Sequence, residues 1–329
     1  MNIAAWAKAQ NLTIAYETKL GTAVVAKSER ILSGASARAL RGTVQLVLTS
    51  PPYPLNRKKA YGNATGARYK GWLEEYAVAL CKLLTADGSI VIEMGNAWEP
   101  KLPVMSTLAM ESLLAFKEAA GLFLCQEFIW HNSAKLPTPA QWVTINRVRV
   151  KDSFTRLWWL SSSPNPKADN RRVLIPYSKS MRTLLKKQKY NAGQRPSQHV
   201  ISKNGFLTDH GGAISSNVLN FDGEIPESVI VGANTESADS YHTYCRSKQL
   251  DPHPARMPLG LAAFFVRLCT EPGDLVLDPF AGSNTTGAAA EQSNRRWISI
   301  EAEAKYARAG IGRFPSLIDE NENGAERQP

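Results

Sequence analysis

Seven short apolar runs, at residues 23–25, 46–48, 89–92, 123–130, 155–160, 275–277 and 297–300, punctuate this chain. Each has the length and composition of a buried strand. Between some of them lie amphipathic stretches, such as Trp72 to Leu84 and Thr107 to Ala120, whose apolar residues recur at three and four positions as in helices packed on one face. Alternation of this kind implies a doubly wound, mainly parallel α/β sheet covered by helices on both faces. The stretch 163–251 departs from the pattern: it is rich in Pro, Gly, Asn, Ser and basic residues and has little periodicity, as expected of an inserted region. The organisation expected is therefore a main domain made of residues 1–162 and 252–314, an insertion at 163–251 and a disordered acidic tail at 315–329.

The run Val44-Gln45-Leu46-Val47-Leu48 leads directly into Thr49-Ser50-Pro51-Pro52-Tyr53. Two successive prolines fix φ and lack N–H donors, so the turn is stiff and the Pro51 carbonyl has no regular ladder role. Ser50 adds a hydroxyl acceptor and Tyr53 a flat aromatic face, which together can hold an exocyclic amino group and stack on the ring that carries it. An ordinary strand-to-loop turn could carry the same residues. Glu93, at the end of Ile90-Val91-Ile92, is placed to orient Ser50 if the two strands are neighbours, and is otherwise a solvated strand-end acid.

A second loop lies far away in sequence. Asp274-Leu275-Val276-Leu277-Asp278 runs through Pro279-Phe280-Ala281-Gly282-Ser283-Asn284 into a helical stretch that begins near Thr285. In doubly wound folds a small-residue turn of this type lets the backbone approach a nucleotide-like ligand, and an acidic residue about 20 positions later reaches the ribose hydroxyls. Glu301, closing Trp297-Ile298-Ser299-Ile300, stands 19 residues beyond Gly282. Asn284 occupies the position where a second glycine is expected, and Asn tolerates left-handed geometry better than most residues. The candidate ligand residues are Asp278, Phe280, Gly282, Ser283, Asn284, Thr285 and Glu301, with His253 and Pro254 in the preceding loop. Asp278 could instead act only as an Asx brace for the turn.

The two loops in this order resemble the β class of S-adenosylmethionine-dependent DNA amino-methyltransferases, whose catalytic motif precedes the cofactor motif. The resemblance spans roughly residues 20 to 313 and includes Asn56 to Asn63, Ser133 to Pro139, Gly211 to Ile214 and His253 to Pro258. It implies a circularly permuted methyltransferase sheet, S-adenosylmethionine as cofactor, double-stranded DNA as substrate and a target-recognition region at 163–251. Ser50 in the first motif position resembles the cytosine-N4 branch, since adenine-N6 enzymes more often have Asp or Asn there. Adenine-N6 transfer remains the alternative, and a non-catalytic DNA-binding protein on the same fold is the alternative of another class. The resemblance further implies a restriction endonuclease as functional partner and points to CAGCTG as the target. Two departures stand out: Ala26-Lys27-Ser28 replaces a common Gly-Asp pair, which weakens Ser28 as an adenine contact, and Met257-Pro258 replaces a common Lys-Pro.

The formal net charge of +10 fits a polyanionic partner. Its distribution sharpens this: residues 167–203 carry ten Lys or Arg against one acid, Asp169. Arg57, Lys58, Lys59, Lys135, Arg171, Arg172, Lys186 and Lys187 are the candidate DNA contacts, although a run such as 57–59 is also compatible with a solvated face. Cys81, Cys125, Cys245 and Cys269 lack zinc spacing, and none follows a proline as the nucleophile of cytosine-C5 enzymes does. The histidines have no ligand-like spacing either, so no metal is expected. No stretch reaches membrane-spanning length and no leader peptide is evident, which leads to the expectation of a cytoplasmic protein.

Overall fold

A computed structural model of the chain describes residues 3–53, 66–220 and 239–318. Its centre is a nine-stranded sheet. In chain order the strands are β1 (Thr13–Glu17), β2 (Gly21–Val25), β3 (Val44–Thr49), β4 (Leu84–Met94), β5 (Phe123–His131), β6 (Phe154–Ser161), β7 (Val218–Asn220), β8 (Leu275–Asp278) and β9 (Arg296–Glu301). Across the sheet they lie in the order β1-β2-β9-β8-β3-β4-β6-β5-β7. Only β1 and β6 run against the rest. The last two strands of the sequence therefore occupy the middle of the sheet, between β2 and β3.

Ten helices accompany these strands among the described residues: α1 (Ile3–Ala9), α2 (Ser28–Ile31), α3 (Gly34–Leu40), α4 (Ala67–Cys81), α5 (Leu108–Ala119), α6 (Lys179–Lys187), α7 (Ser240–Ser247), α8 (Leu259–Cys269), α9 (Thr285–Gln292) and α10 (Ala304–Ala309). Side chains of a strand alternate between faces, and the central strands are apolar on both. Val24, Val47, Ile90, Ile92, Leu275, Leu277, Ile298 and Ile300 join a core with Trp6 of α1, Leu73 of α4 and Leu113 and Phe116 of α5. Their neighbours Ala23, Leu46, Leu48, Val91, Val276 and Trp297 join a second core with Phe264 and Phe265 of α8 and Ala288 to Ala290 of α9. This is the doubly wound sandwich expected. Leu84, expected to close a helix, instead opens β4 because its backbone pairs with Val44.

Both ends of the 163–251 stretch are woven into this frame. The turn Asn170–Val173 docks on α8, with the Asp169 amide donating to the Leu268 carbonyl at 2.9 Å. β7 extends the sheet beside β5, and α7 buries Tyr241 and Cys245. The part that stands off the sheet is narrower, about 174–212. It holds α6, none of whose residues is buried, and a small hairpin pairing 193–194 with 200–201. At the other end, residues 315–318 continue the fold as a helical turn, with Leu317 against the second core. The rest of the expected tail, 319–329, lies outside the described residues. No helix among the described residues is long and apolar enough to cross a membrane.

Candidate active site

The parallel neighbours β2, β9, β8, β3 and β4 open their carboxyl ends on one edge of the sheet, where α/β folds bind ligands. The two loops singled out by the sequence meet there. Thr49, the last residue of β3, donates its hydroxyl to Asp278 Oδ1 at 2.8 Å, so the residue before Ser50 is bonded to the residue that starts the second loop. Asp278 Oδ1 also accepts the Phe280 amide at 3.0 Å, and Oδ2 accepts the Thr286 hydroxyl at 2.8 Å. Asp278 is thus the Asx brace of its turn and a clip between the loops.

Burial pushes the Asp278 carboxyl up to about 6, against the opposing effect of its three hydrogen bonds. A carboxyl raised in the folded state favours folding most when protonated. That contribution is fully present below about pH 4 and is lost as pH rises through about 6, a change of about 3 kcal/mol. Asp278→Asn keeps the shape and removes the titration. Urea unfolding at pH 4.5 and 7.5 should therefore move the stability difference between variant and wild type by about 2–3 kcal/mol in the variant's favour at the higher pH. A difference independent of pH would mean that the carboxyl titrates normally.

Ser50, Pro51, Pro52 and Tyr53 follow β3 directly, and Glu93 lies near the end of the adjacent β4. The Tyr53 hydroxyl donates to Glu93 Oε1 at 2.6 Å, and the Ser50 side chain favours the charged form of both groups. Glu93 is buried, which raises its pKa; the side chains of Tyr53 and Ser50 and the charge of Lys135 oppose the shift. The Tyr53 ring rests on Gly95, where a Cβ would come within 2.6 Å of Cε2. Only glycine leaves room for the ring at this point.

In the second loop Gly282 has φ +52°, and a Cβ there would meet the His253 imidazole at 3.0 Å. Its amide donates to Glu301 Oε2 at 2.8 Å, while Oε1 accepts the Glu303 amide at 2.9 Å. His253 packs edge-on against Tyr306 and bonds to the Ala255 carbonyl, and burial lowers its pKa; Pro254 beside it is exposed. Phe280 packs against Trp72 and Tyr76 of α4, with ring centroids 5.7 and 5.2 Å away. The Tyr76 hydroxyl lies 2.6 Å from that of the buried Ser28.

Ser283, Asn284 and Thr285 are buried. Ser283 receives Arg313 on its carbonyl at 2.9 Å and on its hydroxyl at 3.0 Å, and its hydroxyl lies 3.3 Å from that of Thr285. Asn284 adopts φ +61°, caps α9 by accepting the Gly287 amide at 3.1 Å, and donates to the Tyr16 hydroxyl at 2.8 Å. These three side chains brace the loop from behind.

Comparison with known proteins bears on this arrangement. A family model described as DNA methylase matches residues 44–311. The chain belongs to the DNA methylase family. It is 38% identical over 302 residues, 91% of its own length and 85% of the relative's, to the type II methyltransferase M.PvuII of Proteus hauseri. A solved structure of the PvuII DNA methyltransferase, described as cytosine-N4-specific, superposes with a TM-score of 0.69 at 32% identity, covering 95% of this chain and 94% of that one. A shorter similarity, 43% over 66 residues, links 20% of the chain to 22% of the DNA adenine methyltransferase YhdJ of Escherichia coli strain K12.

The basic residues singled out in the sequence are placed differently from one another. Arg57, Lys58 and Lys59 lie outside the described residues. Lys135 is bonded to Asp152 Oδ2 and to the Phe154 carbonyl, each at 2.9 Å. Arg171 pairs with Asp169, and Arg172 with Glu271 and the Thr270 carbonyl. Lys186 and Lys187 are exposed in the last turn of α6 and carry no ion pair among the described residues. The sequence reading missed Gly95, Trp72 and Tyr76. For the two aromatics the signal was present: Tyr69, Trp72 and Tyr76 recur at three and four residues along α4, and belong to its amphipathic pattern.

Proposed function

We propose that this chain transfers a methyl group from S-adenosylmethionine to the N4 amine of a cytosine rotated out of double-stranded DNA. The observation that carries the reading is the Thr49–Asp278 bond, which sets the amine grip and the cofactor loop side by side on one ligand-binding edge. Ser50 in the first motif position and the extended similarity to a methyltransferase described as cytosine-N4-specific support cytosine over adenine.

The residues at the edge fit S-adenosylmethionine. Gly282, in the left-handed region, lets the turn close against His253 where a Cβ would not fit, and Glu301 spends its oxygens on two amides, leaving lone pairs for ribose hydroxyls. Phe280, backed by Trp72 and Tyr76, offers an aromatic face. When bound, S-adenosylmethionine supplies an electrophilic methyl group on sulfur.

The protein's part is positional. The cytosine amine is a poor nucleophile because its lone pair is delocalised into the ring. Ser50 acts on the charge of both Glu93 and Tyr53, and its hydroxyl oxygen has lone pairs with which to accept. Together with the Pro51 carbonyl it would bind both amine hydrogens and favour a pyramidal nitrogen whose lone pair points at the methyl group. Alignment of two bound reactants can account for about 7–11 kcal/mol of the barrier. Stacking on Tyr53, about 1–3 kcal/mol, would offset part of the few kcal/mol needed to extrude the base.

In this reading residues 174–212 belong to the target-recognition region, with Lys186 and Lys187 of α6 as its cationic contacts, and Arg57, Lys58 and Lys59 flank the catalytic loop. The setting is cytoplasmic protection of host DNA beside a restriction endonuclease. Incubation with tritiated S-adenosylmethionine and duplexes containing CAGCTG, followed by nucleoside analysis, should yield N4-methylcytosine. N6-methyladenine would reassign the base, label in other sequences would reassign the target, and no transfer by cofactor-bound protein to any DNA would leave a non-catalytic DNA-binding protein.

A further inference from the structure

The connection from β5 to β6, residues 132–153, leaves and re-enters the sheet at the edge that carries Ser50: Met94 of β4 pairs with Arg156, and Arg156 with Ile129. Its two ends are tied down. Lys135 bonds to Asp152 at 2.9 Å, Asp152 Oδ1 accepts the Asn96 side-chain amide at 3.0 Å, and Lys151 donates to the Ser133 carbonyl at 2.7 Å. Asn96 follows Gly95, on which the Tyr53 ring rests. The base of this connection is thus fastened to the amine grip.

Its middle is the opposite. Ile145 is 66%, Val148 61% and Val150 86% exposed. Between the two valines, Arg149 turns inward and lays its guanidinium over the Trp98 ring, 3.0 Å from the centroid, with Nη1 shut off from solvent. Arg149 sits in a bend, half-buried between the exposed Val148 and Val150, so its contact with Trp98 anchors the point from which the two valines project. Single exposed apolar residues are ordinary, but three within six residues on a braced loop beside a ligand edge form a patch suited to a partner. Arg147 stands exposed in the same segment, with φ +52°, and carries no ion pair among the described residues. Branched apolar tips beside a cation match a partner with an apolar interior and an anionic rim. A duplex from which one base has been removed is such a partner: its stack is open and phosphates flank the gap.

We infer that residues 145–150 form a wedge that enters the duplex beside the target and occupies the space left by the extruded cytosine, with Val148 and Val150 against the open stack and Arg147 on a flanking phosphate. The inference rests on the proposed DNA methyltransferase reading. A wedge of this kind matters only when the base has to be taken out of a paired stack.

The test compares the double variant Val148→Ser, Val150→Ser with wild type on two duplexes carrying the sequence that the tritium assay above labels, or CAGCTG where it labels none: one fully paired, one with an abasic site opposite the target cytosine. Both side chains are exposed, so the melting temperature and S-adenosylmethionine affinity should match wild type. On the paired duplex kcat/KM is expected to fall about tenfold or more, since extrusion costs a few kcal/mol. On the abasic duplex, where extrusion costs little, the fall should be at least about threefold smaller. Equal losses on both duplexes, as a protein–protein or purely electrostatic surface would give, overturn the wedge, and so does an unchanged rate on the paired one. Wild-type protein that methylates cytosine in neither duplex overturns the enzymatic reading, and the wedge with it.

Discussion

Replacing Ser50 with alanine is expected to lower kcat by about 10²–10³-fold, the usual cost of removing one preorganised hydrogen-bonding group at a reacting centre. S-adenosylmethionine affinity should stay within about twofold of wild type, because a group used only at the reacting atoms leaves ground-state binding of the other substrate intact. The surroundings of Ser50 justify the separation. Thr49 holds the strand end to Asp278, the two prolines stiffen the turn after Ser50, and Tyr53 is fixed by Glu93 and Gly95, so alanine removes an acceptor without releasing the loop. Single-turnover transfer of a tritiated methyl group gives the rate and calorimetry the affinity. Glu93→Gln should act through Ser50. In wild type the rate should drop as pH falls through the raised pKa of Glu93, because protonation removes the charge that holds the Tyr53 hydroxyl and acts on Ser50, and the glutamine variant should lack that limb. A Ser50→Ala enzyme with wild-type turnover would remove Ser50 from the chemistry.

What could be read from the sequence and what could not divide along a physical line. Strands such as Val44–Thr49 and Leu275–Asp278 are buried on both faces, so their apolar runs are dense enough to identify without neighbours. β1 and β7 are edge strands, one with mixed polarity and one of three residues in a Ser- and Asn-rich stretch. Their conformation comes from pairing with β2 and β5, which no local pattern encodes. The adjacency of β8 and β3, separated by more than two hundred residues, is likewise invisible to periodicity and was expected only through family resemblance. Side-chain commitments were the least legible. Lys135 reads as a free cation in the sequence, yet an acid 17 positions later meets it across the hairpin. Gly95 looks like punctuation after a strand until the Tyr53 ring is seen lying on it.

Asn284 illustrates the same point, and its replacement by alanine is expected to destabilise the fold by about 3–5 kcal/mol, a size reached only when several mechanisms combine at one residue. An L-residue without a polar side chain pays about 1–2 kcal/mol for the left-handed backbone, and loss of the helix cap adds about 1 kcal/mol. Removing the side chain also strips the Ser299 and Tyr16 hydroxyls of partners in a buried setting, where an unsatisfied polar group costs about 1–3 kcal/mol. Asn284→Gly separates these contributions, since glycine accepts φ +61° and gives up only the hydrogen bonds. Urea unfolding should therefore place glycine above alanine by about 1–2 kcal/mol, with both below wild type. The loop from Gly282 to Asn284 leads into α9, and the brace behind it also sets the approach of the Gly282 amide to Glu301. S-adenosylmethionine binding should weaken in the same rank order, asparagine, glycine, alanine. Equal stability of the two variants would mean that the alanine backbone relaxes out of the left-handed region at no cost, and that the asparagine is retained for its hydrogen bonds alone.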